Sequence, residues 1–470
     1  MTSRRLDPHA RRTSASEPLL ADRSEPAPGP RPARRRELRL PVAPTPYRVI
    51  RDQLPNGLRL CTVEAPHLHW ATVALYVRAG SRYETGATNG LSHFVEHMLF
   101  RGSARFPDSY ALNRAIEEMG GTLYAETGRD YSLYQISLHP ARVAGALDIL
   151  GDLFTAPSFR DIDLERSIIL EEILEDFDER GRKVNIDDLS REAAWPDHPL
   201  GFSIVGPAAN VRRFGVPDVR RHFKRLYGGR NMVLCVAGRV RRTEVAAAAR
   251  RAFRGVSPGR RAIPLAPRVS LDGPRFRRVW SDSAQTQLQL LFYALPEWDP
   301  GYAALVALLR ILDDGMSTRL HYRICDQKGL AYNVNAALEP LFDTALLELD
   351  AACAHAKLPE LLTEVIKIIS EFREELVTPA ELDKAKRRYL FDLEAGFDDL
   401  DGLCGWFGGT ELFFRPYSHE ERVRRMDRVT IKEVRKVARR VLRPDRLTAV
   451  AVGALESATA RKVQRLLRGF

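Results

Sequence analysis

The strongest constraint on the fold is a pattern of residues that recurs, with different sequence, in the two halves of the 470-residue chain. The first half closes with HFKRLYGGRNMVLCVAGRV and the second with ARRVLRPDRLTAVAVGAL, and the glycines Gly238 and Gly453 in these phrases lie 215 residues apart. Each phrase joins a helix end, a turn and an apolar strand. A repeat of this length indicates an internal duplication, and therefore two domains of similar fold.

Strand-like and helix-like runs are mixed in both halves without strict alternation. WATVALYVRAG and QTQLQLLFYAL are typical of strands, whereas PARVAGALDILGDLF and LPELLTEVIKIISEF have helical spacing. This order predicts the α+β fold class, with two homologous domains in which a mainly antiparallel sheet packs with helices.

Composition sets the predicted boundaries. Residues 1–46 form a basic tail whose Pro, Ser, Ala and Arg content predicts disorder. Residues 47–253 form the first domain. Residues 254–278 are rich in Pro, Gly and Arg without apolar periodicity and are predicted to be a linker, and residues 279–470 form the second domain.

The sequence predicts neither a membrane-spanning helix nor a secretory signal peptide. There is no apolar run long enough for a transmembrane helix, and the N-terminus lacks the apolar core of a signal peptide, so a cytoplasmic location is expected. Five widely spaced cysteines predict reduced thiols rather than disulfides or a thiolate zinc site. The excess of Arg over Lys and the many Ala residues favour a GC-rich bacterial genome.

The formal charge of +11 does not by itself predict a nucleic-acid partner. Residues 1–40 hold ten Arg and five acidic residues, which leaves only +6 for the other 430 residues. A solvated tail is the favoured interpretation, with docking on an acidic partner or lipid as the alternative. The segment KAKRRYL, residues 384–390, is interpreted as a solvated helix face.

The segment HFVEH, residues 93–97, carries the chemistry. On a helix, His93 and His97 stand one turn apart on the same face and can bind one cation. Imidazole and carboxylate ligands suit Zn²⁺, and a catalytic zinc needs a base beside its water, a role for which Glu96 is placed. The alternative is a helix with two hydrogen-bonded histidines. His67 and His69 form a second, weaker candidate pair in a predicted turn.

Two glutamates downstream offer a further ligand. Glu165 and Glu172 in DLERSIILEEILED lie seven residues apart and therefore on one face of a predicted helix. In the second half, the position 215 residues after His93 is Leu308, within the apolar run LVALLRIL. The duplication therefore retains the metal chemistry in the first copy, and the second copy is left for packing or substrate binding.

HFVEH followed by ERSIILEEI resembles the pitrilysin/insulinase family of zinc peptidases, and specifically the branch of mitochondrial processing peptidase. The resemblance implies that His93, His97 and Glu172 bind one zinc ion and that Glu96 activates a zinc-bound water. Glu165 matches a further family glutamate that supports catalysis without binding the metal.

The resemblance extends over DHPLGFSIVGP, GMSTRL and GLAYNV, and covers residues from about 47 to 455. It implies a clamshell of two α+β domains around a chamber. Unfolded peptides would be cut there after pairing with a sheet edge.

Two positions depart from the family pattern. Family members often have an Asn on the edge strand near the zinc, where this chain has Tyr124, so Tyr124 becomes a candidate substrate-binding residue. The second domain usually supplies an Arg and a Tyr to substrate and oxyanion. Tyr332 matches the Tyr, but Cys325 stands at the Arg position, which leaves Arg323 or Arg319 as candidates.

The same resemblance leaves the assembly open. A homodimer, or a heterodimer with a related chain that supplies the missing arginine, is compatible with the sequence. Relatives also serve as non-catalytic assembly subunits, usually with an eroded HxxEH motif, but the motif is intact here. Peptides are the expected substrates, and neither a nucleic-acid partner nor a membrane span is expected.

Overall fold

A computed structural model describes residues 43–267, 269 and 271–470. The predicted disordered tail lies outside the described residues, except for its last four positions. None of the helices in the described part of the chain is both long and apolar enough to cross a membrane. The five cysteines are free thiols, as predicted.

Eleven strands are present in the described ranges. They are Arg48–Gln53 (β1), Arg59–Glu64 (β2), Ala71–Val77 (β3), Thr122–Thr127 (β4), Ser132–Leu138 (β5), Met232–Gly238 (β6), Arg275–Val279 (β7), Thr286–Ala294 (β8), Val334–Pro340 (β9), Ala345–Cys353 (β10) and Leu447–Val452 (β11).

Sixteen α-helices accompany them in the same part of the chain. They are Leu91–Leu99 (α1), Ser109–Glu117 (α2), Val143–Thr155 (α3), Ile162–Leu174 (α4), Ile186–Ala194 (α5), Ala208–Arg213 (α6), Val216–Leu226 (α7), Arg242–Ala252 (α8), Tyr302–Leu312 (α9), Arg319–His321 (α10), Leu358–Glu374 (α11), Pro379–Ala395 (α12), Leu400–Cys404 (α13), His419–Asp427 (α14), Ile431–Val441 (α15) and Ser457–Arg468 (α16).

The strands form two sheets of matching topology. The first sheet has the order β1-β2-β6-β3-β5-β4 and the second has the order β7-β11-β8-β10-β9. In each sheet one neighbouring pair is parallel, β2 with β6 and β7 with β11, and the other pairs are antiparallel. Among the residues that the structure describes, strand β1 has no counterpart in the second sheet. The mainly antiparallel character of both sheets agrees with the prediction.

The 215-residue repeat is a repeat of structure. Adding 215 carries the first residue of β3 onto that of β8, and α7 onto α15 over its whole length. The same shift carries the start of α3 onto that of α11. The predicted fold class, two homologous α+β domains produced by internal duplication, is therefore confirmed.

Each sheet packs one face against its own helices. In the first half, Val73, Leu75 and Leu234 of the sheet contact a core that includes Phe94 and Leu147 of the helices. The second half repeats this arrangement with a core of its own. Every side chain of β3 and β6 is buried, because these central strands are covered on both faces.

The opposite face of each sheet is covered by a helix from the other half. Leu403, Cys404 and Phe407, at and just after α13, pack on Tyr76 and Cys235 of the first sheet. The turn after α13 comes so close to the sheet that a Cβ at Gly408 would lie 2.5 Å from the Cβ of Cys235.

Helix α5 makes the reciprocal contact on the second sheet. Leu189 of this helix packs against Val450 and Val452 of β11. The two halves thus exchange one helix each, and these contacts bury apolar side chains from both halves.

The segment between the halves is shorter than predicted. Strand β7 begins at Arg275, inside the predicted linker 254–278, and pairs in parallel with β11. Its sequence, RFRRV, contains three arginines, so the apolar periodicity of a strand is hidden. The duplication identifies β7 as the counterpart of β2, since the two strands occupy equivalent places in their sheets.

Candidate metal centre

Helix α1 carries HFVEH and is positioned by a buried carboxylate at its N-terminus. The helix starts after Gly90, whose φ of 99° places it in the left-handed region, and a Cβ there would lie 2.7 Å from the carbonyl oxygen of Val205. The side chain of Glu84 accepts hydrogen bonds from the backbone N–H groups of Gly90 (2.9 Å) and Ser92 (2.6 Å). A carboxylate at this end of a helix satisfies free N–H groups and complements the helix dipole.

Three predicted ligands meet at one point. Nε2 of His93 lies 3.4 Å from Oε1 of Glu172, and Nε2 of His97 lies 3.6 Å from its Oε2. The two imidazole rings are 4.6 Å apart between centroids. One ligand atom from each of the three residues falls within 4.8 Å of the others, and among the described residues they form the single His, Cys, Asp and Glu group with this property.

These separations fit a zinc ion. Distances of 3.4 and 3.6 Å are long for hydrogen bonds. Two ligands about 2.1 Å from a tetrahedral zinc lie about 3.4 Å from each other, which is close to the observed spacing. Two imidazoles and one carboxylate also form the ligand set of many catalytic zinc sites, in which a fourth position is left for water or substrate.

Glu165 orients His97 from behind. Nδ1 of His97 donates a hydrogen bond to Oε2 of Glu165 at 2.9 Å, which leaves Nε2 directed at the metal position. The other oxygen of Glu165 accepts from Nε of Arg101. Such a carboxylate–histidine pair fixes both the ring orientation and the tautomer of a metal ligand.

His93 lacks this kind of support. It is buried, and its Nδ1 has no hydrogen-bond partner among the described residues. A buried polar atom without a partner destabilises the fold. This helix position is therefore not optimised for stability.

Glu96 lies on the same helix, where the metal position meets the edge of the first sheet. It is half-buried, and one carboxylate oxygen accepts a hydrogen bond of 2.5 Å from the hydroxyl of Thr127. Thr127 ends β4, the outermost strand of the sheet beyond β5. The candidate base is thus tied to the strand edge along which an extended peptide could pair.

In the metal-free site the pKa values of the two histidines are shifted in opposite directions. Burial, helped by the neighbouring His97, lowers the pKa of His93 to about 4. Burial also lowers the pKa of His97, but Glu165 and Glu172 outweigh it and raise the pKa to about 9. Burial raises the pKa of Glu96. Near neutral pH, His97 is therefore protonated, and a metal must displace that proton.

The predicted substrate-binding residues lie elsewhere. Tyr124 is exposed on β4, and its hydroxyl donates to Glu126 at 3.1 Å. Arg323 is held by Glu364 and Glu371 in the second half, and the hydrogen bonds and ion pairs of the described residues do not connect it to the candidate metal ligands.

The remaining candidates in the second half are also separate from the histidines in these contacts. Arg319 pairs with Glu381. Tyr332 is 94% exposed. Of the weaker histidine pair, His67 bonds to the carbonyl oxygen of Phe397 at 3.0 Å, and the group of three metal-ligating side chains does not include His67 or His69.

Sequence reasoning missed three residues that shape the site. Glu84 holds the start of helix α1. Arg101 holds Glu165, and Thr127 holds Glu96. Thr127 belongs to the segment YAET, in which Tyr124 was already predicted to lie near the metal site, so the segment could have indicated Thr127 as well. Glu84 lies six residues before Gly90, and no simple capping motif indicates it.

The chain belongs to the insulinase family of peptidases, M16. The insulinase family model matches residues 59–208, and the model of the M16 inactive domain matches residues 213–389. These matches fall on the two halves of the duplicated fold. Relatives in the family are named zinc proteases.

An uncharacterized zinc protease of Streptomyces coelicolor is 30% identical over 403 residues, covering 84% of this chain and 87% of the relative. One from Mycobacterium tuberculosis is 30% identical over 406 residues, covering 83% and 90%. The probable β subunit of the mitochondrial-processing peptidase of Arabidopsis thaliana is 27% identical over 423 residues, covering 86% and 78%.

Solved structures share the fold. A protease from Helicobacter pylori superposes with a TM-score of 0.79 at 19% identity, covering 87% of this chain and 99% of its own. A structure of a peptidase M16 inactive domain from Pseudomonas fluorescens gives a TM-score of 0.78 at 20% identity, covering 87% and 98%. The predicted family is therefore confirmed by sequence, and the fold by structure.

Proposed function

We propose that this chain is a zinc-dependent metalloendopeptidase that binds one zinc ion through His93, His97 and Glu172. The observation that carries the proposal is the convergence of these three donors beside Glu96, a carboxylate that is placed to act as a base. The names of the relatives support zinc and proteolysis as the general chemistry.

Zinc, when bound, would acidify a water molecule and polarise the peptide carbonyl. Glu96 would take the proton from the attacking water and deliver it to the leaving amine. Burial raises the pKa of Glu96, and this favours proton uptake. The hydrogen bond from Thr127 holds the carboxylate in place during both transfers.

Strand β4 supports a substrate in extended form. It is an edge strand, so an unfolded peptide can add to it by main-chain hydrogen bonds. Main-chain pairing does not depend on which side chains the substrate carries. It therefore favours peptides or unstructured segments, which can enter an enclosing chamber in extended form. Tyr124 stands exposed on the same strand and would contact the bound peptide.

The test is cleavage of a mixed library of unstructured peptides by the wild type and by Glu96→Gln, with products identified by mass spectrometry and zinc measured on both proteins. The variant should keep one zinc per chain and lose hydrolysis. An active Glu96→Gln protein would refute the role of Glu96. A wild type that binds no zinc would refute the proposal as a whole.

A second form of the proposal has the site completed by another chain. Phe342, just after β9, donates its N–H to Asp130, which lies three residues after Thr127. Tyr332 lies just before the first residue of β9, at the opposite end of this strand of about 20 Å from Phe342. It is exposed there and would be free to contact a neighbouring chain.

The same form of the proposal accounts for the missing arginine. Cys325 stands at the expected position, and both Arg319 and Arg323 are held by glutamates of their own half. A homodimer or a related partner would then supply the oxyanion contact. If neither wild type nor variant cuts although both bind zinc, co-purification with a chain of similar size tests this form against a non-catalytic assembly role.

A further inference from the structure

We propose that the second half of the molecule positions the zinc ligand Glu172, and that the contact between Asp176 and Asn185 transmits this positioning. The inference rests on the proposed zinc site. It assigns a role to the second half that is independent of substrate.

Glu172 lies in the last turn of α4, where a helix frays most easily. On this helix, Ile169 and Ile173 are buried, whereas Leu164 and Ile168 are exposed. The packing that α4 receives from its own half is therefore one-sided. The segment on the C-terminal side of the helix has correspondingly more influence on where Glu172 points.

The chain after α4 folds back on itself at once. The carbonyl oxygen of Asp176 accepts hydrogen bonds from the N–H groups of Val184 (2.8 Å) and Asn185 (3.3 Å). The side chains close the same junction, since Nδ2 of Asn185 donates to Oδ1 of Asp176 at 2.6 Å. The end of α4 is thereby joined directly to the start of α5.

Asn185 uses both ends of its amide. While Nδ2 contacts Asp176, Oδ1 accepts a hydrogen bond of 3.1 Å from the N–H of Asp188 and so caps α5. A single side chain therefore couples the helix that carries the ligand to the helix that is exchanged between the halves.

Helix α5 is firmly docked on the second sheet. The buried guanidinium of Arg191 donates to Glu348, to Glu339 (2.8 Å) and to Gln289 (3.2 Å), all three on strands of that sheet. A buried arginine with several hydrogen bonds of this kind fixes the register of the contact. Displacement of α5 on the sheet would consequently move Asn185, Asp176 and the end of α4.

The decisive variant is Asn185→Ser. Serine is an equally good helix cap, but its side chain is too short to reach Asp176, and the net charge is unchanged. A control for the loss of a cap exists in the other half, although it removes one negative charge. Asp399 caps the exchanged helix α13 through the N–H groups of Asp401 and Gly402. Asp399→Ser alters that cap without touching the junction at α4.

The measurement is the zinc dissociation constant of the full chain, by competition with a chelator of known affinity, together with thermal unfolding of the zinc-free proteins. Asn185→Ser should weaken zinc binding by about 10-fold, the lower end of the effect of losing a partner that contacts a ligand directly, because Asn185 acts on Glu172 through Asp176. Asp399→Ser should stay within about twofold of wild type.

The inference is overturned if Asn185→Ser binds zinc like the wild type, or if both variants weaken zinc equally and so report general destabilisation. Failure of the wild type to bind zinc would instead refute the zinc site itself. The two failures are thus distinguishable.

A variant that adds a negative charge at position 185 tests the same contact in another way. Asn185→Asp keeps the cap but places two carboxylates against each other, and we expect weaker zinc binding. The double variant Asp176→Asn/Asn185→Asp restores a hydrogen bond in the reverse direction at the original net charge. It should recover zinc affinity to within about threefold of wild type, and a double variant no better than Asn185→Asp would overturn the inference.

Discussion

Helices α1 and α9 occupy equivalent places in the two halves, yet they differ in the residues that matter for chemistry. The 215-residue shift carries His93, Glu96 and His97 onto Leu308, Ile311 and Leu312. The three apolar residues are buried in the second core. The fold therefore does not need histidines at these places, and the first half keeps them at a cost in stability.

The same contrast holds for the helix that supplies the third ligand. The counterpart of Glu172 is Arg387 on α12, and the counterpart of Glu165 is Ala380. The second half thus lacks the candidate ligands and the carboxylate that orients one of them, His97. This comparison leads to four predictions about which half depends on which interaction.

The largest effect is expected when His93 of the first half is replaced by leucine, the residue at its counterpart position 308 in the second half. His93→Leu should weaken zinc binding and peptide hydrolysis by about 1,000-fold or more, because a zinc site supplies several kcal/mol to the transition state. The zinc-free protein should become about 1 kcal/mol more stable, because a buried unpaired nitrogen is removed. Metal analysis and urea unfolding measure both effects, and retention of zinc would contradict the ligand assignment.

The reverse exchange should destabilise without creating a site. Leu308→His buries an imidazole without a partner and should lower the free energy of unfolding by about 3 kcal/mol. No zinc should bind there, since Arg387 stands where the third ligand would be. Urea unfolding and metal analysis check the two expectations. A second bound zinc would contradict the conclusion that the second half lacks the other ligands, since Leu312 and Arg387 stand at their places.

The pH dependence of stability should come from the first half. In zinc-free protein the raised pKa of His97, about 9, gives stabilisation that is present below pH 6.5 and is lost as pH rises through 9. The depressed pKa of His93, about 4, gives stabilisation that is present above pH 6.5 and is lost as pH falls through 4.

The contribution of these two residues should therefore peak near pH 6.5 and fall by on the order of 2 kcal/mol by pH 9. Urea unfolding with a chelator at about pH 5.5, 6.5 and 8.5 measures it. His97→Gln should flatten the alkaline side, and an unchanged profile in that variant would contradict the assignment.

The smallest effect concerns the contact between Glu96 and the sheet edge. Thr127→Val removes the hydrogen bond that opposes the raised pKa of Glu96, so the acid limb of kcat/KM should move to higher pH by up to about one unit. In the second half the equivalent place in the sheet is taken by the apolar Leu338, which pairs with Leu347 as Thr127 pairs with Ser132. Thr122→Val, at the exposed start of the same strand, is the matched control and should leave the limb in place.

Much of the fold could be predicted because its signals are local or repeated. The duplication predicted two similar α+β halves, and the apolar runs indicated strands such as β3, β6 and β8. The order of strands in each sheet could not be predicted, because it depends on pairing between distant segments. The linker prediction was wrong for strand β7, because arginines mask the pattern of that strand.

The candidate site divides in the same way. His93 and His97 could be predicted to share one face because four residues make about one helical turn, and Glu172 could be added as a candidate ligand through family resemblance. Glu84 and Arg101 escaped because their partners lie on other turns or other helices. The roles of Tyr124 and Tyr332 in substrate binding stay predictions.

By itself, the sequence predicted two similar domains and the half that carries the candidate ligands, because residue type and helical spacing are local properties of the chain. Only the tertiary structure brought Glu172 within 3.6 Å of a histidine 75 positions away, and joined the end of its helix to the opposite sheet through Asn185. Such contacts depend on how two whole cores pack and exchange helices. That packing is a property of all the buried side chains together, which no short stretch of sequence encodes.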